Sequence, residues 1–385
     1  MSAAAQPLAG LVVLDLSRVL AGPYATQLLG DLGAEVWKVE RPGHGDETRA
    51  WGPPFVGDQS AYFLSVNRNK RSAAMDFRDP AQLALVRRAV LAADVVVENF
   101  LPGDLARFGL DAATLRREKP GLIVCSITGY GQDGPYAHLP GYDAMMQGFV
   151  GLQSVTGEAD GPPLKVGVAL IDVLTGVHAA AAILAALVGS LRGKGGAHLD
   201  VALADVGVHS MVNVAQSALS TGQPARRYGN GHPTIVPYQT FAASDGLFVL
   251  AVGNDEQWQR LCAALGESGR GRDPRWARNP DRVLARAEVV GWLAAAFAAQ
   301  PREHWLGLLS AARIPAGAVR DVHEVVRDPA LSANGLVRET ILAGGEKTGI
   351  LSLPWRIEGM RPGVVLPPPR LGEHDAAFRA RFGAA

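Results

Sequence analysis

Short apolar runs alternate with segments of helical spacing along the first half of the chain. Leu11–Leu16 reads as a buried strand, Pro23–Leu32 as a helix, and Glu35–Val39 as a second strand. Ser72–Phe77 predicts a third strand. Asp79 then caps a helix, with Pro80 at the first helical position and Gln82 three residues after the cap. Asp94–Val97 and Leu122–Ile127 predict a fourth and a fifth strand. Such alternation argues for an α/β fold, a parallel sheet covered by helices.

The texture changes at Gly129–Gly167, where Gly, Pro and Tyr predict an extended loop. Val173–Leu191 is nearly uncharged and about long enough to span a membrane. It is mostly Ala, however, and contains Thr175, Gly176 and His178, so it reads as a buried core helix with His178 a core histidine. A turn at Gly193–Gly196 leads to a strand at Leu199–Leu203, and Gly222–Pro237 is another loop. Phe241–Val252 has a hairpin signal at Asp245-Gly246. Gln257–Leu265, Pro280–Gln300 and Arg302–Ala312 read as helices of a second, smaller unit. The Pro-rich tail Arg361–Pro369 is excluded from a central strand.

Composition narrows the function classes. In 385 residues, 37 basic and 37 acidic side chains cancel, which argues against a general nucleic-acid binder. Cys125 and Cys262 lie far apart and outside any CxxC pair, so neither a zinc site nor a disulfide framework is expected and a reducing, cytoplasmic location is. Met1–Pro7 shows no secretory pattern, and no membrane partner is expected.

The first strand–turn–helix superficially suits a dinucleotide. The turn Ser17-Arg18-Val19-Leu20-Ala21-Gly22-Pro23 nevertheless has one glycine, and Pro23 stands where a backbone would approach a pyrophosphate, so NAD or FAD binding is not expected. No GxxxxGK[ST], GxSxG or HExxH motif occurs.

Asp172, just before the long apolar helix, is the candidate for chemistry. A carboxylate there meets unpaired backbone N–H groups and the positive end of the helix dipole and should stay ionised. The residues alone leave two readings open, a plain helix cap and a nucleophile.

Several blocks resemble the family III CoA-transferases, the group that contains formyl-CoA transferase and carnitine CoA-transferase. They are Leu14–Pro23, Glu35–Pro42 with Gly45-Asp46 and Thr48-Arg49, Asn67–Ser72 and Glu98-Asn99-Phe100. Gly129-Tyr130-Gly131, Gly141-Tyr142-Asp143, Asp172 with Thr175-Gly176, and Leu371-Gly372-Glu373-His374 follow in the same order. The resemblance implies a large domain with a Rossmann-like parallel sheet built from both chain ends (1–205 and 330–385). It implies a linker and small α+β domain at 206–329, and a ring-shaped subunit in an interlocked homodimer. It makes Asp172 the catalytic aspartate, with coenzyme A thioesters as substrates and no metal or prosthetic group. By family position, Val19, Ala21, Arg41, Met75, Asn99, Phe100 and Arg107 line the CoA site, with Arg18, Arg78 and Tyr142 nearby.

Trp51–Gly57 and Ile235–Gln239 resemble relatives that act on dicarboxylates. Arg49, Arg227, His232 and Tyr238 are therefore acceptor-site candidates, with Arg226 a further spare cation, and Arg49 or Arg227 could hold a second carboxylate. Leu20 and Pro140 depart from the glutamine and lysine of formyl-CoA transferase, and its glycine-rich loop has no counterpart. Those departures argue against formyl and oxalyl substrates. The alternatives are α-methylacyl-CoA racemase-like epimerisation on the same fold and a non-catalytic CoA-binding protein.

Overall fold

The computed structural model describes residues 6–363 and 366–383. Part of the Pro-rich tail, Val364 and Val365, lies outside them, as do the first five residues and the last two. The chain forms two compact units. One comprises the chain up to Leu152, Val166–Gln223 and the chain from Asp328 on; the other comprises Gln153–Lys165 and Pro224–Arg327.

The first unit is built on six parallel strands: β1 (Val12–Asp15), β2 (Glu35–Glu40), β3 (Lys70–Ala74), β4 (Val95–Glu98), β5 (Ile123–Thr128) and β6 (His198–Ala202). Their order is β3-β2-β1-β4-β5-β6, so the chain reverses direction across the sheet between β1 and β4. All four residues of β1 and β4 and all six of β5 are buried, which is why these strands read as continuous apolar runs. In open sheets of this order, ligands bind outside the carboxyl ends of the strands at the switch point.

Strand β3 lies two residues earlier than its apolar pattern indicates. Its first residue, Lys70, is wholly buried, and its ammonium donates to Asp15 Oδ2 at 2.9 Å. A polar residue pulled inward by a charge partner defeats periodicity. The helices of this unit include α1 (Ala21–Asp31), α2 (Pro80–Ala92), α3 (Asp143–Phe149), α4 (Leu170–Leu191), α5 (Leu203–Ser210) and α6 (Val212–Thr221). The α2 cap forms as expected, with Asp79 accepting from the Ala81 and Gln82 amides. The stretch expected as loop contains α3, whose residues sit between glycines that mask its spacing.

Helix α4 is long and apolar enough to cross a membrane. Ile171, Thr175, Gly176, Ala179 and Ile183 form a buried face, while Val177, Val188 and Leu191 are exposed. His178 is on the exposed side, edge-on to His209 at 5.7 Å, and is not the core histidine expected.

Both chain ends contribute to this unit. Helix α10 (Asp375–Phe382; α7–α9 belong to the second unit) covers the β2–β3 side of the sheet, where Phe378 and Phe382 meet Trp37 edge-on at 5.4 and 5.7 Å. Asp375 accepts from the Ala74 amide at 2.7 Å. The second unit pairs a three-stranded antiparallel sheet, β7 (Tyr238–Ala242), β8 (Leu247–Ala251) and β9 (Ala316–Ala318), with α7 (Asp255–Ala264), α8 (Arg286–Phe297) and α9 (Arg302–Ala311). The hairpin turns at Asp245-Gly246, where its sequence placed it.

Candidate active site

A cavity of about 270 Å³ opens at the switch point. Its walls come from the turn after β1 (Arg18–Ala21), the segment after β4 (Asn99–Leu101), the end of β5 (Ile127–Gly129), Pro140–Tyr142, Glu47, Asp104, Leu203 and Asp172.

The turn after β1 is held from beneath by buried charge. Asp15 accepts from the Ser17 amide at 3.0 Å, Thr26 Oγ1 at 2.7 Å and Lys70 Nζ at 2.9 Å. Burial opposes its ionisation, but the Lys70 and Lys38 ammoniums overcome this and hold its carboxyl well below the usual range. Lys38, also fully buried, bonds the Ser17 carbonyl at 2.8 Å and pairs with Asp46 at 2.9 Å. Asp46 in turn receives the Val19 amide at 3.2 Å. Asn99 clamps Arg18 in both directions, accepting from its amide at 2.9 Å and donating to its carbonyl at 2.8 Å.

These bonds impose φ +70° on Val19, a strained value for a β-branched residue, held because several groups determine it at once. They also engage the amides of Ser17, Arg18 and Val19. Among the described residues nothing accepts from the amides of Leu20 and Ala21, at the start of α1. Both residues line the cavity.

Asp172 departs from the sequence expectation in two ways. It is not the cap: α4 begins at Leu170, with Ala169 as its cap residue, and Asp172 is the third helical residue. The cap role belongs to Asp143, whose Oδ1 accepts from the Ile171 amide at 2.8 Å and the Asp172 amide at 3.3 Å. Its Oδ2 accepts from Gln147 Nε2 at 2.6 Å. The Asp172 carboxylate has no hydrogen-bond partner among the described residues, and the residue is 9 % exposed. Nor is it held ionised by the helix terminus. Burial, reinforced by the Asp143 charge, raises its pKa to about 7. Tyr62 belongs to the same surroundings; burial and the charges of Asp172, Asp143 and Asp46 push its phenol up to about 12.

Close helix packing sets the position of Asp172. A Cβ on Gly176, one turn beyond Asp172, would lie 2.7 Å from the Ala21 carbonyl and 3.0 Å from the Tyr24 ring. Only glycine lets α4 approach the first turn of α1 this closely.

The sequence-predicted residues divide sharply. Arg18, Val19, Ala21, Asn99, Phe100, Tyr142 and Asp172 line one cavity. Arg41, Met75, Arg78 and Arg107 do not line it. Met75 is a core residue at 2 % exposure, because the side chain at the end of β3 turns into the apolar layer. Arg41 is exposed, Arg78 pairs with Asp76 at 2.9 Å, and Arg107 is exposed with its guanidinium 4.8 Å from the Phe108 ring.

The acceptor candidates do not meet in this cavity's lining. Arg49 donates twice to Glu40, at 2.8 and 2.7 Å, and once to the Pro369 carbonyl. Arg227 donates to the carbonyls of Ser154, Glu158 and Gly161. Both are engaged in holding the fold, so neither guanidinium is free for a ligand. Arg226 is exposed. His232 stacks on Tyr238 at 5.3 Å within the second unit. Sequence reasoning overlooked Glu47, Asp104, Tyr62 and the capping role of Asp143, although Asp143 directly follows Tyr142 in a quoted block. The two departures, Leu20 and Pro140, both line the cavity.

Residues 8–375 match CoA-transferase family III. A succinate–glutarate CoA-transferase of Agrobacterium fabrum is 44 % identical, covering 98 % of this chain and 96 % of its own. An acetyl-CoA:oxalate CoA-transferase of Acetobacter aceti is 38 % identical over 98 % of this chain and 96 % of its own. Overall likeness therefore gives no ground for excluding oxalate. The crystal structure of a CAIB/BAIF family protein from Brucella suis superposes with a TM-score of 0.86 at 43 % identity, over 98 % of this chain and 99 % of that one. With a match running through both chain ends and the middle, the chain belongs to CoA-transferase family III.

Proposed function

We propose that this protein transfers CoA from succinyl-CoA, or a similar acyl-CoA, to a free dicarboxylate through an aspartyl-CoA thioester on Asp172. The observation that carries the reading is the Asp172 carboxylate, buried and unpartnered in a cavity at the sheet's switch point. The names of relatives such as the Agrobacterium fabrum enzyme support the substrate class.

The steps balance without a redox change. The ionised Asp172 attacks the donor's thioester carbonyl, forming a mixed anhydride and releasing CoA thiolate. The thiolate attacks the aspartyl carbonyl, which yields aspartyl-CoA and the donor's free acid. The acceptor carboxylate attacks that thioester, giving a second anhydride and thiolate. Thiolate attack on the acceptor's acyl carbon then regenerates Asp172. Each step develops an oxyanion. The α4 amides nearest Asp172 face Asp143, Val168 and Ala169, so the free amides of Leu20 and Ala21 are the donors we assign to it. Burial keeps water from the activated carbonyls.

Arg41 and Arg107 are assigned to the phosphates of CoA. We place the enzyme in the cytoplasm as an interlocked homodimer that needs no prosthetic group. Two free, buried cysteines support the compartment. The dimer is supported by apolar side chains in solvent on α4 and α6: Leu191 is 89 % exposed, and Leu219 81 %.

The test is to mix the protein with succinyl-CoA and glutarate and read glutaryl-CoA by mass spectrometry. Acyl-CoA alone should add mass to the peptide holding Asp172, and hydroxylamine should release it. An adduct on Cys125 or Cys262, or no exchange with any acid, overturns the reading.

A further inference from the structure

A dicarboxylate brings a second negative charge into the site, and the structure narrows which cation receives it. Among the residues lining the cavity, Arg18 is the only lysine or arginine; Glu47, Asp104 and Asp172 are acidic. Its backbone is fixed from both sides by Asn99, so the side chain starts from a defined point. Its guanidinium bonds Glu47 through Nη1 and lies 5.4 Å from the Phe100 ring. Arg18 and Glu47 are 45 % and 46 % exposed. Solvent screening makes such an exposed ion pair weak.

From this geometry we infer that Arg18 receives the distal carboxylate of the substrate acid or acyl-CoA, and that Glu47 holds its place while the site is empty. The inference rests on the CoA-transfer reading and adds a specificity residue to it. Glu47 offers the guanidinium the same functional group that the substrate carries. Entry of a diacid exchanges one carboxylate for another and leaves Arg18 paired throughout. A monocarboxylate lacks the second group, so it makes no ion pair with Arg18 and gains nothing from that exchange. A fork-shaped donor suits this role, because it meets a carboxylate through two parallel bonds.

The experiment uses succinyl-CoA as donor and offers glutarate and pentanoate as competing acceptors, so that the donor half-reaction is common to both and cancels from their ratio. In the parent, kcat/KM should favour glutarate. Arg18→Met should lower the glutarate-to-pentanoate ratio about ten- to hundredfold, the worth of a charge-assisted hydrogen bond. Arg18→Lys should recover part of the loss. Glu47→Gln should lower the KM for glutarate by removing the competitor. Calorimetric affinity of Arg18→Met for free CoA should stay within about twofold of the parent.

A ratio unchanged in Arg18→Met overturns the inference. So does a tenfold loss of CoA affinity with the ratio preserved, which assigns Arg18 to the CoA phosphates instead. No transfer by the parent to either acid overturns the function itself, an outcome distinct from both.

Discussion

Replacing Asp172 by Asn separates nucleophile from structural residue, and its effect on stability follows from the same burial that shapes its chemistry. Asp172 is 9 % exposed, and burial raises its carboxyl to about 7 in the folded protein, against 3.8 for its ordinary value. Because the folded state binds this proton more tightly than the unfolded chain, stability falls as pH rises between those two values. Above pH 7 the folded protein bears the full penalty, on the order of 4 kcal/mol at 1.36 kcal/mol per unit. Asn keeps the shape without the charge. The variant should therefore match the parent near pH 4, gain on it through pH 4–7, and exceed it by a few kcal/mol at pH 8. Urea unfolding of both proteins at several pH values measures the difference. Transfer of CoA should be abolished in the same variant. A helix cap would behave in the opposite way, losing up to about 1 kcal/mol and keeping activity. An active Asn variant, or a stability difference that ignores pH, refutes the reasoning.

Other outcomes follow from the same surroundings. The proposed attack requires ionised Asp172, so kcat/KM should fall as pH drops below about 7; Asp143→Asn removes the neighbouring charge and should move that limb to lower pH while still offering an oxygen to the α4 amides. Lys70→Met leaves Asp15 buried without its ammonium partner and should destabilise the protein by about 3–5 kcal/mol in urea unfolding, whereas an unchanged midpoint would remove the argument for a charged floor beneath the turn. Arg41→Ala and Arg107→Ala should each weaken CoA about ten- to hundredfold in calorimetry if the phosphates reach them; two variants that bind as the parent does would place the nucleotide elsewhere.

The alternation of apolar runs made the sheet legible, because strands buried on both faces leave a plain signature. It failed at β3, where Lys70 is drawn inward by Asp15, and at α3, where glycines hide a helix. Asp172 stood out in the sequence as a candidate, but its state did not. Its charge depends first on burial and then on Asp143, which lies 29 positions away along the chain and reaches the α4 amides only in the fold. The cations Arg49 and Arg227 illustrate the same limit from the other side. A sequence displays a guanidinium without its partners, and here the partners are Glu40 and four backbone carbonyls.

The contact at Gly176 bears on how the enzyme could be altered. It fixes the spacing between two helix starts, one holding Asp172 and the other presenting the Leu20 and Ala21 amides. The reach from the Asp172 carboxylate to those amides is thus set by backbone contact. On the proposed reading, acid preference can drift through the side chains of Leu20, Glu47 and Pro140, which line the cavity, without changing that reach. A methyl group added at position 176 would do the reverse. It would push the first turn of α1 away and part the Asp172 carboxylate from the Leu20 and Ala21 amides.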